Sequence, residues 1–95
     1  MSRYRLRPRA VADLEAICDF IAADNPERAV SFIDELLALC ERIAERPRGF
    51  QRREDLAPGL RQAVRGRYLV LFTPDEEGVV IERVVYGARR LEDLI

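Results

Sequence analysis

Residues 25–49 place the strongest constraint on what this chain can fold into. Asn25-Pro26 opens the segment, and Pro47 and Gly49 close it. Between them Ala29, Phe32, Ile33, Leu36, Leu37, Leu39, Cys40 and Ile43 recur at helical spacing, while Glu27, Asp34, Glu35, Glu41, Arg42 and Glu45 fill the opposite arc. A period near 3.6 that separates apolar from charged side chains this cleanly is the mark of an amphipathic α-helix. Asn25 is suited to cap the first turn and Pro26 to occupy the first helical position. Pro47 and Gly49 end the helix near Arg46. An apolar arc this wide needs a second apolar layer to cover it.

The neighbouring segments supply that layer. Val11, Leu14, Ile17, Cys18 and Ile21 form another stripe at helical spacing, which predicts a helix over 10–23. Asp13, Glu15 and Asp19 lie off the stripe, and the acids near its start suit the positive end of the helix dipole. The break at Asp24-Asn25-Pro26 is short, so the two helices are expected to form an antiparallel hairpin. Ahead of them, Arg3-Tyr4-Arg5-Leu6-Arg7 alternates with period two and reads as a short strand that Pro8 stops. From Gly59 onward the pattern is again that of strands. Leu60–Arg65 reads as a strand and Gly66-Arg67 as a turn. Tyr68–Thr73 is a continuous β-rich run, which predicts a central strand covered on both faces. Pro74–Gly78 reads as a loop, Val79–Tyr86 as the last strand, and Gly87-Ala88-Arg89-Arg90 as a polar tail before Leu91, Leu94 and Ile95. The predicted fold is α+β in the order β-α-α-β-β-β. Its last three strands make an antiparallel meander, because their loops are too short for crossovers. The helical hairpin packs on one face of the antiparallel sheet, and the first strand inserts or adds at an edge.

At 95 residues the chain is expected to be a single domain, residues 1–95, with a modest core and no deep cofactor cavity. Its apolar runs fall far short of the ~20 residues that a membrane span needs. The opening Met1-Ser2-Arg3-Tyr4-Arg5 is charged with no apolar stretch behind it, unlike a secretory signal. Two cysteines are too few for a disulfide scaffold, and both fall on apolar helix faces, where they are expected as buried thiols. A cytoplasmic protein is the expectation. The net charge of −1 conceals a strong segregation. Residues 1–9 carry four Arg and no acid, 10–45 two Arg and nine acids, 46–67 seven Arg and two acids, and 68–95 three Arg and six acids. This layout allows a basic face beside an acidic one. All sixteen basic residues are Arg. Without His there is no ready general base near neutral pH, and without Lys there is no Schiff-base chemistry. Two cysteines without a histidine do not make a metal site, so neither metal nor cofactor is expected.

Several of these segments, taken in order, carry a family resemblance. They are Tyr4-Arg5-Leu6, Ala12-Asp13-Leu14-Glu15-Ala16-Ile17, Asn25-Pro26-Glu27-Arg28-Ala29 with Phe32, and Pro47 with Gly49. Then come Gly59-Leu60-Arg61, Gly66-Arg67-Tyr68-Leu69-Val70 and the run from Ile81 to Arg90. The sequence resembles the RelE/ParE superfamily of toxins from type II toxin–antitoxin systems, and looks most like its ParE branch. The likeness covers nearly the whole chain. It implies a toxin that poisons DNA gyrase and is silenced by a ParD-like antitoxin in a hetero-oligomer. For the RelE-like branch it implies mRNA cleavage on the ribosome.

Cutting RNA by attack of a 2′-hydroxyl needs a base, an acid for the leaving oxygen, and cations around the phosphate. Arg61, Arg65, Arg67, Arg83, Arg89 and Arg90 offer cations. Glu54, Asp55 and Glu82 are the nearest base candidates, and none sits in a recognisable motif. Many relatives carry His where this chain has Tyr86. With Lys and His absent, the ParE-like resemblance implies gyrase inhibition without catalysis as the expected activity, and a ribosome-dependent endoribonuclease using Arg61, Arg83 and Tyr86 is the alternative. The candidate target contacts are Arg61, Arg67, Arg83, Tyr86, Arg89 and Arg90. The resemblance implies that the C-terminal segment matters for toxicity, which adds Leu91 to Ile95. The plain alternative for each arginine is ion pairing within the domain. Phe20 lies off the stripe of its helix, and with Phe32, Leu36 and Leu37 it forms the candidate antitoxin surface. The resemblance implies that the antitoxin's C-terminal segment wraps this surface and extends the sheet at an edge.

Overall fold

The structure, a computed structural model, describes residues 3–88 and Leu91. Arg89, Arg90, Leu94 and Ile95 lie outside the described residues. Strand β1 (Tyr4–Leu6) leads into helices α1 (Pro8–Ala22) and α2 (Pro26–Glu45). A 3₁₀ turn at Pro47–Gly49 precedes β2 (Gln51–Arg52), and β3 (Arg61–Arg65), β4 (Tyr68–Asp75) and β5 (Gly78–Tyr86) follow. The strands lie in the order β1-β5-β4-β3-β2. The predicted β-α-α-β-β-β order is present, and β1 adds at an edge of the sheet.

The sheet differs from the expectation in two features. The sheet is mixed, because β1 pairs with β5 in parallel while the other neighbours are antiparallel. Two helices and three strands separate β1 from β5, so no short loop dictates the direction of that pairing. The second difference is β2, which pairs only Gln51 and Arg52 with β3. Two residues are too few to show a period.

The element boundaries have local causes. Asn25 accepts a hydrogen bond from the Arg28 amide at 3.1 Å and so caps α2. Pro8, expected as the stop of β1, is also the first residue of α1. The helix thus begins two residues earlier than its apolar stripe suggested, and its first turn holds no acid. The expected dipole role for the acids of this helix is therefore not realised. β4 runs through Pro74 to Asp75, where a loop was expected. This is tolerated because β3 begins only at Arg61, opposite Phe72, leaving Pro74 with β5 on one side only. Gly78 has φ +140°, and a Cβ there would fall 1.9 Å from the Arg3 carbonyl oxygen. Only glycine lets β1 approach the start of β5 this closely.

The core has two parts, one on each face of the sheet. Leu14 and Ile17 of α1 and Leu36, Cys40 and Ile43 of α2 pack on Val70, Phe72, Ile81 and Val84. On the other face Leu60, Leu71, Val85 and Leu91 form a smaller cluster, flanked by Leu56, Ala57 and Leu69. Val70, Leu71 and Phe72 are each fully buried, as the continuous apolar run of β4 predicts. Both cysteines are free. Cys40 is buried, and desolvation pushes its thiol up to about 12, whereas Cys18 is half-buried. Among the described residues no helix is long and apolar enough to cross a membrane.

Helix α1 is fastened to the sheet by Asp13. Its carboxylate accepts from Arg83 Nε at 2.8 Å, from Arg83 Nη2 at 2.9 Å and from the Val84 amide at 2.9 Å. The side chains of Arg83 and Asp13 are only 11% and 15% exposed. Removing the carboxylate leaves a largely buried guanidinium and a buried N–H without this partner. Asp13→Ala is expected to lower stability by about 3 kcal/mol. In urea unfolding the midpoint should fall with little change in slope, and Asp13→Asn, which keeps an acceptor, should lose less. A midpoint unchanged in Asp13→Ala would show that the clasp contributes nothing.

Candidate functional site

Tyr68 opens β4 and Tyr86 closes β5, and the register sets the two directly opposite. The two-residue turn at Gly66-Arg67 delivers Tyr68 to that position, with Gly66 at φ +58°. The tyrosine rings meet edge to face, with centroids 5.8 Å apart. Tyr68 also packs against Phe32 of α2, at 5.6 Å. The Arg28 guanidinium stands over the Phe32 ring, 5.2 Å from its centroid. Phe20 and Ile21, from the last turn of α1, and Arg67 complete an open groove of about 620 Å³. Phe20 is 77% exposed, an unusual position for a phenylalanine.

Glu35 ties the rim of this groove to the sheet. Its carboxylate accepts from Arg28 and from Arg65 of β3, the latter through Nε at 3.0 Å and through Nη2. Hydrogen bonds from Arg28 and Arg65 hold the Glu35 carboxyl down to about 2. Arg28 is thereby kept over Phe32, with its charge partly answered by Glu35. Arg67 has no such partner among the described residues.

The residues singled out in the sequence separate into three sets. Arg67, Tyr86, Phe20 and Phe32 come together in the groove, although Phe32 is 7% exposed and shows it only an edge. Arg61, Arg83, Leu36 and Leu37 do not line it. Arg61 is 8% exposed, and its Nη1 donates to the carbonyl of Phe50 at 2.7 Å and to that of Arg48 at 3.4 Å. Arg83 is engaged by Asp13. Leu36 is fully buried and offers no surface, while Leu37 is half-buried against the core. Arg89 and Arg90 form the third set, outside the described residues.

The candidate bases are engaged elsewhere. Glu54 accepts from the Gly59 amide at 3.1 Å. Asp55 pairs with Arg53, which holds its carboxyl below the usual range. Glu82 accepts from Thr73 Oγ1 at 2.7 Å and from Arg7 Nε at 3.1 Å. None of the three lines the groove. Among the described residues no group of three or more His, Cys, Asp or Glu is placed to hold a metal ion. Sequence reasoning missed Tyr68 and Arg28. The signal for Tyr68 was its place opposite Tyr86 across a hairpin, which becomes visible only once the register is fixed.

The family described as the ParE toxin of type II toxin-antitoxin system, parDE, matches residues 4–91. The chain belongs to this family, within the RelE/ParE superfamily. Among solved structures it is similar to a chain of the chromosomal ParDE TA system from P. aeruginosa, with a TM-score of 0.76 and 21% identity. That alignment covers 90% of this chain and 96% of the other, and it establishes a shared fold. No match is found among curated proteins.

The bridge at the rim can be tested by titration. The folded value for Glu35 lies below its unfolded value, so the bridge is fully formed above the ordinary carboxylate range. It is lost only as pH falls through about 2. Carboxyl-carbon NMR should place the Glu35 midpoint near there. A midpoint in the ordinary glutamate range would mean that neither arginine holds the carboxylate in solution.

Proposed function

We propose that this toxin arrests growth by gripping DNA gyrase through the aromatic groove, without making or breaking a covalent bond. A ParD-like antitoxin silences it in a cytoplasmic toxin–antitoxin hetero-oligomer. The observation that carries this reading is the match of the ParE toxin family over residues 4–91. We take residues 1–95 as a single toxin domain.

The chemistry of the groove supports binding over catalysis. It is lined by four aromatic side chains, one of them largely buried, and by the side chains of Arg28 and Arg67. Such a surface takes an apolar anchor from a partner and flanks it with charge-assisted hydrogen bonds. Transfer of a proton from a 2′-hydroxyl needs a base within hydrogen-bond reach. The carboxylates proposed for that step bond to other groups, and Arg61 and Arg83 are held by backbone carbonyls and by Asp13. Of the endoribonuclease candidates only Tyr86 reaches the groove. We therefore assign Arg67 and Tyr86 to target contact, together with Arg89 and Arg90 on sequence grounds. Phe20 and the edge of Phe32 are assigned to the antitoxin.

Purified toxin in excess should slow gyrase supercoiling or accumulate cleaved DNA. Tyr86→Phe should keep that activity, because the ring remains, whereas Tyr86→Ala should lose roughly tenfold or more. Codon-positioned mRNA cuts that vanish in Tyr86→Phe, with gyrase untouched, would replace this reading by the endoribonuclease. For the antitoxin, Phe20→Ser should leave thermal stability unchanged and weaken binding roughly ten- to a hundredfold in calorimetry. Unaltered affinity would remove Phe20 from the interface.

A further inference from the structure

Most of the arginines near the sheet have partners. Arg5, Arg7, Arg28, Arg53, Arg65 and Arg83 each pair with a carboxylate. Arg42, Arg46, Arg48 and Arg52 differ. All four are exposed, and none makes a side-chain hydrogen bond or ion pair among the described residues. They fall within residues 42–52, which hold one acid, Glu45. This strap comprises the last turn of α2, the 3₁₀ turn and β2, and β2 is the terminal strand of the sheet.

The strap is a braced platform. Arg61 lies beneath it and donates to the carbonyls of Arg48 and Phe50. The Phe50 ring packs edge-on against buried Phe72, with centroids 5.9 Å apart. Arg61 binds neutral carbonyls and no acid, so its charge adds to the field of the four exposed guanidinium groups. The strap is also remote from the groove. Arg28 and Arg46 are separated along α2 by about 27 Å at 1.5 Å per residue.

We propose that the strap docks the phosphate backbone of duplex DNA. A peptide partner needs apolar anchors, and none of the large hydrophobic side chains exposed on this protein lies in residues 42–52. The strap offers charge alone, as planar forks that match phosphate oxygens on a backbone already fixed in place. A backbone polyanion read without its bases requires no more than this. The choice of DNA over RNA rests on the gyrase reading, since gyrase holds a DNA duplex, while the phosphate chemistry does not depend on it.

Fluorescence anisotropy of a labelled duplex with the full-length toxin, without gyrase, tests this. With three to four phosphate contacts, log K should fall against log salt with a slope of about −3, weakening binding roughly a hundredfold between 50 and 200 mM. The triple variant Arg46→Gln, Arg48→Gln, Arg52→Gln should reduce the slope by about 3 and weaken binding at low salt at least ~10-fold. Arg42→Glu should weaken binding in the same direction, and Phe20→Ser should have no effect. No binding of wild type at 50 mM salt, or equal binding by the triple variant, would overturn the proposal. So would tighter binding of duplex RNA or of polyglutamate. Gyrase inhibition that survives in a toxin shown not to bind DNA would leave the functional reading standing and remove the strap alone.

Discussion

One carboxylate sets the relation between the helices and the sheet. β1 pairs with β5 only at Val79, Val80 and Ile81, and the Arg7 amide reaches back to Ile81. Beyond that point β5 becomes an edge strand whose outward amides have no strand to pair with. Asp13 takes up the Val84 amide there and grips Arg83 with the same carboxylate. It substitutes for the strand that β1 is too short to provide. Because Asp13 sits on α1, the substitution also fixes where that helix lies over β5. Its stripe of Ala10, Leu14 and Ile17 is then directed into the core, and its last turn comes to rest beside Tyr86.

The groove follows from that placement. The helical hairpin covers the middle of the sheet fully, but at the Tyr68–Tyr86 end the aromatic side chains remain partly open. A stack of rings is a rigid, low-entropy surface that gains by being covered. Glu35 holds one arginine over the stack, and the tight turn before Tyr68 holds a second beside it. The site therefore joins apolar area to fixed charge, and among the described residues no carboxylate lines it. The other concentration of charge, at the far edge of the sheet, has exposed cations on a braced backbone and no exposed large hydrophobic side chain. Two surfaces of different character thus share one chain of 95 residues, set apart by the length of α2.

What the sequence disclosed depended on the range of the interaction. The period of residues 26–45 and the run Tyr68–Thr73 made α2 and a doubly covered β4 legible, because both patterns are local and repeat several times. The parallel pairing of β1 and the Asp13–Arg83 clasp link residues about seventy positions apart, and no local pattern carries them. The wide apolar arc of α2 did not reveal which part faces the sheet, so Leu36 read as surface when it is fully buried, and Phe32 read as open surface when it is 7% exposed. Arg61 read as a candidate target contact, with ion pairing as the alternative, because the backbone carbonyls that engage it belong to a turn that sequence alone does not bring against it. Phe20 was legible for the opposite reason. A large apolar side chain off the stripe of an amphipathic helix has no intramolecular place to go.

Hydrogen exchange along the toxin, free and with gyrase added, tests the role of the groove most directly. Protection should rise at the Gly66–Tyr68 turn, at the end of β5 and at the α1–α2 junction, while the outer face of α2 stays unchanged. Protection confined to the outer face of α2, with the Tyr68 and Tyr86 amides exchanging as in the free toxin, would contradict the assignment of this groove to the target.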